Sequence, residues 1–146
     1  MLSLKDLLKP GVDPETLPAD VRSNARELLE KVNRLLLAYK ADGHKEHIVV
    51  TSGIRTLEEH QRIYREINAK RAKRGLPELK VPMGSMHLKG CAVDLHDPAG
   101  KMKQWCLKNE KVLVEVELWA EHPDATPTWL HVQIRPPRSG NRWFKP

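Results

Sequence analysis

The segment Ser85–Asp94, SMHLKGCAVD, constrains this chain more than any other. It carries an imidazole, His87, and a carboxylate, Asp94, seven residues apart with Gly90 between them. Cys91–His96 reads as a strand, and alternation puts Ala92, Asp94 and His96 on one face and Cys91, Val93 and Leu95 on the other. A second strand reads at Trp129–Ile134: Leu130, Val132 and Ile134 form an apolar face, while Trp129, His131 and Gln133 face away from it. If both strands lay their apolar faces on one core, Asp94 and His131 project to the same side. His87 precedes the first strand, and Gly90 lets its loop turn back toward them. Two histidines and an aspartate are a sufficient ligand set for a catalytic zinc with one position left open to water. Neutral imidazoles with a carboxylate suit zinc better than calcium or magnesium.

The rest of the chain reads as scaffold. Residues 1–19 hold three prolines and five leucines, which predict a short helical turn and then an extended wrap. A helix is expected from an N-cap at Asp20 to about Tyr39, with Leu28, Leu29, Val32, Leu35, Leu36 and Tyr39 at 3–4 spacing. Asp42-Gly43 stops it. Glu46–Ser52 predicts a buried strand through Ile48, Val49 and Val50. Thr56-Leu57-Glu58-Glu59 is a capping box opening a helix to about Arg74, with Ile63, Tyr64 and Ile67 as its buried stripe. Gly75–Pro82 reads as a loop and Lys101–Lys108 as a short helix. Val112–Trp119 alternates, which predicts a strand with Leu113, Glu115, Glu117 and Trp119 on one side. Residues 135–146 form a basic tail. The order of elements predicts one α+β domain over residues 1–146: a mostly antiparallel sheet with helices packed on one side.

Composition bounds the partners. The net charge of +6 favours anionic ones, with nucleic acid, anionic lipid and bacterial cell wall all fitting. No apolar run is long enough to span a bilayer. Met1–Asp6 has no basic start followed by an apolar stretch, so no secretory signal is expected. Two cysteines, Cys91 and Cys106, make no disulfide framework.

At this point a family resemblance enters. SMHLKGCAVD fits the Ser-x-His-x-x-Gly-x-Ala-x-Asp signature of zinc D-alanyl-D-alanine carboxypeptidases and dipeptidases, a group that includes phage endolysins cutting L-alanyl-D-glutamate bonds. It is similar, more widely, to lysostaphin-type peptidases and the hedgehog signalling domain. Upstream, VTSGIRTLEEHQRIY resembles the family's Ser-Gly-x-Arg-Ser/Thr segment; downstream, WLHVQ resembles its final Trp-x-His segment. The three motifs span roughly residues 49–133 in the family's order. The resemblance implies a zinc peptidase of bacterial peptidoglycan stem peptides, and with it a location in the cytoplasm until release or in a phage virion; a monomer is expected. It implies His87, Asp94 and His131 as the zinc ligands. It implies that Arg55 steadies the substrate carbonyl and the oxyanion formed from it, for which a fixed guanidinium is suited. Ser85 is expected to hydrogen-bond near the site or to serve the turn. Trp129 and His96 are further candidates for holding substrate, His96 because it faces the same way as Asp94.

The match departs at the general base. The family has Glu or Asp three residues before the last histidine; here that position is Thr128. A threonine hydroxyl is far too weak a base for the task, and loss of a general base typically costs ~10²–10⁴-fold in rate. Either another carboxylate substitutes or the chain binds without cleaving. Glu121 and then Asp124 are the preferred substitutes, beside Glu115 and Glu117. Two further classes of function stay open: a non-catalytic zinc-containing module of the same fold, and nucleic-acid binding through Lys70–Arg74 and the tail with Trp143 and Phe144. No nucleic-acid motif is present, which weighs against the last.

Overall fold

Residues 1–146 are described by a computed structural model. The 3–4 apolar spacing after Pro18 becomes α1, Ala19–Ala41, which buries Ala25, Leu28, Val32, Leu35, Leu36 and Tyr39. Its N-cap is Pro18, and Asp20 falls inside the first turn, where its charge complements the exposed backbone N–H groups. The strand expected over Glu46–Ser52 shortens to β1, Val50–Ser52. Val49 is exposed, and His44 stacks instead on Tyr39 with ring centroids 4.0 Å apart.

Thr56 caps α2, Leu57–Lys73, by accepting a hydrogen bond from the Glu59 amide at 3.2 Å. The stripe expected to be buried is only half-buried; His60 is the residue α2 buries. No residue of α2 enters the main core. The helix instead ties down the loop that follows it: Asn68 bonds both the amide and the carbonyl of Leu79, and His60 Nε2 lies 2.9 Å from the Pro82 carbonyl.

The remaining elements are β2 (Ala92–His96), α3 (Lys101–Lys108), α4 (Glu110–Glu115), β3 (Trp119–Glu121), β4 (Trp129–Gln133) and β5 (Trp143–Phe144). The five strands form one sheet ordered β1-β2-β4-β3-β5. The β1–β2, β2–β4 and β3–β4 pairs are antiparallel, and β3–β5 is parallel. The sheet is therefore mixed: three of its four pairings are antiparallel, as expected, and the fourth is parallel, because the basic tail returns as β5 beside β3.

The strand expected over Val112–Trp119 is a second correction. Its first part is α4, with Leu113 and Val116 buried three residues apart and Val114 exposed. Glu117 then takes a left-handed turn at φ 56°, and the strand starts only at Trp119. A short run of alternating apolar residues fits a period near 3.5 about as well as a period of 2. Packing against α1 and α3 decides for helix here. Glu115 and Glu117 are consequently exposed, and Glu117 pairs with Lys31 at 3.3 Å.

Residues of α1, α3 and α4 share one core with Val93, Leu95, Leu118, Ala120, Leu130 and Val132. The β2–β4 register sets Val93 opposite Val132 and Leu95 opposite Leu130 on that apolar face. The intervening pair, Asp94 opposite His131, must then project from the other face. No helix is long and apolar enough to cross a membrane.

Candidate metal centre

The register fixes two of the three candidate ligands, and a tight turn brings the third. Asp94 and His131 are direct cross-strand partners, with Asp94 Oδ1 2.8 Å from His131 Nδ1. His87 sits on the loop before β2. Gly90, at φ 71°, donates its N–H back to the His87 carbonyl, and the Cys91 N–H donates to that of Met86. A Cβ at Gly90 would lie 2.6 Å from the Val21 carbonyl oxygen, so only glycine allows the loop to pack against α1 this closely. His87 Nε2 then lies 3.5 Å from Asp94 Oδ1. One donor atom from each of His87, Asp94 and His131 lies within 4.8 Å of the other two.

This donor set fits a transition-metal ion. Two nitrogens and a carboxylate oxygen are donors that a divalent transition metal accepts; the 3.5 Å His87–Asp94 separation is close to the ~3.4 Å expected between ligands ~2.1 Å from one tetrahedral ion, while the 2.8 Å Asp94–His131 contact is a hydrogen bond. The far nitrogen of His87, Nδ1, lies 2.8 Å from the Gly53 carbonyl, the type of outer contact that orients metal-binding imidazoles. His87 and His131 are buried, so little water competes for them.

The electrostatics are those of a coupled acid–base cluster. Burial works against ionisation of Asp94, but hydrogen bonding from His131, then from His87, outweighs it and holds the carboxyl at about 2. Burial also disfavours charge on His131, yet the hydrogen bond to Asp94 wins and its pKa is raised. Glu121 is pushed up chiefly by burial; His131 draws it down, Asp94 pushes it up and His87 draws it down again.

An open cleft of about 440 Å³ lies over these ligands. Arg55, Ser85, Glu121, Trp129 and Gln133 line it. Arg55 is held there by two hydrogen bonds from its guanidinium to Ser52 Oγ, at 3.3 and 3.2 Å, and its backbone N–H donates to the His87 carbonyl. Glu121 reaches the cleft because β3 pairs with β4 so that Ala120 faces the core and its neighbours face the other way.

Two candidates are not brought to the cleft. Asp124 is exposed and lies 3.4 Å from His122 Nδ1 in a surface pair. His96 follows the alternation of Asp94 but stands at the far end of β2. It lines a separate cavity with Tyr39, Glu46 and His47. Thr128 is exposed, and its carbonyl accepts the Asp97 N–H at 2.9 Å.

Two participants were not singled out from sequence. The Gly53 carbonyl behind His87 has no residue-type signal, because every residue has a carbonyl. Gln133 had one: it alternates with His131 on β4, and its Oε1 lies 3.1 Å from His131 Nε2. No protein-family model, no curated protein and no solved structure matches this chain.

Proposed function

We propose that this chain is a zinc metallopeptidase that cleaves peptide bonds of bacterial peptidoglycan, as a carboxypeptidase on D-Ala-D-Ala ends or as an endolysin-like endopeptidase. One observation carries the reading. Three ligand-type side chains from a loop and two strands converge in a cleft that also receives one half-buried carboxylate, Glu121, and one anchored guanidinium, Arg55.

His87, Asp94 and His131 would hold the ion. A zinc ion bound there supplies Lewis acidity, which polarises a carbonyl and acidifies water. Glu121 is the carboxylate placed to take a proton from water in the cleft and pass it to the leaving amine. Its raised pKa brings it nearer the operating range of a general base. Arg55 lines the cleft, so guanidinium N–H groups not used by Ser52 would donate to an oxygen that gains negative charge during attack, and its bonds to Ser52 limit reorganisation. Ser85 and Trp129 line the same cleft and are placed to hold the substrate's flanks. The net charge of +6 favours residence on an anionic wall.

The deciding assay incubates zinc-loaded protein with purified peptidoglycan and measures new amino termini and released D-alanine. Release that is lost in His131→Ala and kept in Asp124→Asn supports the peptidase. A second reading, a zinc-holding module that binds wall without cutting it, is favoured by Thr128 at the family's base position. It predicts co-sedimentation with peptidoglycan and no release from several wall chemotypes.

A further inference from the structure

The surroundings of His131 identify the nitrogen it turns toward the ligand cluster. Gln133 is 5% exposed and projects from the same face of β4. Its amide Nε2 lies 2.7 Å from the Arg135 carbonyl oxygen. A carbonyl only accepts, so the amide must present its NH2 group there and its oxygen to the other side. That oxygen is 3.1 Å from His131 Nε2, and it too only accepts. Nε2 of His131 must therefore carry a hydrogen. The nitrogen facing the cluster is Nδ1, which donates to Asp94 Oδ1 at 2.8 Å, so a metal bound there would displace the Nδ1 proton while Nε2–H stays on Gln133. His87 resolves the opposite way. The Gly53 carbonyl takes its Nδ1–H at 2.8 Å, leaving Nε2 to face Asp94.

We infer that Gln133 is a positioning residue that commits His131 to bind metal through Nδ1, while the Gly53 carbonyl commits His87 to Nε2. The inference rests on the metal reading above and deepens it. The chain Arg135 carbonyl, Gln133 amide, His131 imidazole runs from just beyond β4 into it, so β4 carries both the candidate ligand and the group that fixes its tautomer. A side chain of the same length without an acceptor leaves the ring free to rotate or to bind through either nitrogen. Outer partners of this kind are typically worth ~10–100-fold in metal affinity.

The test compares wild type, Gln133→Met and Gln133→Glu, each checked for folding by its amide spectrum. Zinc affinity is measured by chelator competition, and the histidine nitrogens are read by long-range ¹H–¹⁵N correlation. In zinc-loaded wild type, His131 is expected to show a metal-bound Nδ1 and an exchange-protected Nε2–H. Gln133→Met is expected to weaken zinc binding ~10–100-fold and to lose that protection. Gln133→Glu, which keeps an acceptor, retains the Nδ1-bound form. A zinc-loaded spectrum with Nε2 as the ligand overturns the inference, as does a Met variant that binds zinc like wild type. Wild type that binds no zinc sinks the metal reading instead. The Gln133 contact is then judged on metal-free protein at mildly acid pH, where protection of the His131 Nε2–H must be present in wild type and absent in Gln133→Met.

Discussion

Replacing Gly53 by alanine tests the link between the amino-terminal wrap and the metal centre. Gly53 does not adopt a positive φ, so its backbone conformation is open to alanine. Space is the obstacle: a Cβ there would lie 2.2 Å from the Leu7 carbonyl oxygen and 2.8 Å from both the Leu7 carbonyl carbon and Cα. All three are backbone atoms, so no rotamer change relieves the clash. Leu7 is 2% exposed in the core, and its carbonyl accepts the Ile54 N–H at 2.7 Å. Relief requires the wrap to lift by about 1 Å to reach an ordinary C···O contact of ~3.3 Å. Partial loss of Leu7 burial costs up to ~1.5–3 kcal/mol, and the strained hydrogen bond ~0.5–1.5 kcal/mol. Reduced unfolded-state entropy returns ~0.4–1 kcal/mol. The net destabilisation is about 1–4 kcal/mol, a fall in Tm of roughly 3–13 °C for a domain this size. The Gly53 carbonyl also orients His87, so zinc affinity falls with it, by up to ~100-fold. The assay is thermal unfolding in chelator, followed by zinc competition, with Gly84→Ala as control because a Cβ at Gly84 meets nothing within 4 Å. A Gly53→Ala variant that melts within 1 °C of wild type would refute the steric reasoning.

Other expectations follow from the same geometry. Glu121→Gln is expected to lower peptide cleavage by ~10²–10⁴-fold while leaving zinc stoichiometry at one, and Asp124→Asn to leave both unchanged; the reverse ranking would move the base to Asp124. Metal-free protein should be most stable between about pH 4 and 6.5. Asp94, depressed to about 2, contributes stability above its unfolded value near 3.9 that is lost as pH falls toward 2. His131, raised, contributes stability below its unfolded value near 6.5 that is lost as pH rises through its folded pKa. Melting curves in chelator should show both flanks, and added zinc should restore the alkaline one, since metal replaces the proton. Burial raises the Cys91 thiol and pushes that of Cys106 up to about 12, so neither should react with a thiol reagent at neutral pH until denaturant is added; prompt labelling of two thiols in native protein would contradict their burial.

The sequence alone determined the candidate ligand set and the faces it lies on. Strand alternation is a local property of the backbone, so Asp94 and His131 could be assigned to the side opposite Val93, Leu95, Leu130 and Val132 before any pairing was known. The stripe of α1 and the cap at Thr56 were legible for the same reason: each depends on residues within a turn or two of one another. The tertiary structure alone decided what depends on distant partners. Val112–Val116 fits either period, and contact with α1 and α3 makes it a helix. The chain ranks Glu121 before Asp124 without deciding between them, and β3 pairing sends the first into the cleft and leaves the other in solvent. His96 shares the alternation of Asp94, yet two residues of strand rise carry it some 7 Å along β2 and out of reach. The Gly53 carbonyl behind His87 depends on the chain passing that point, 34 residues away, which no local pattern encodes.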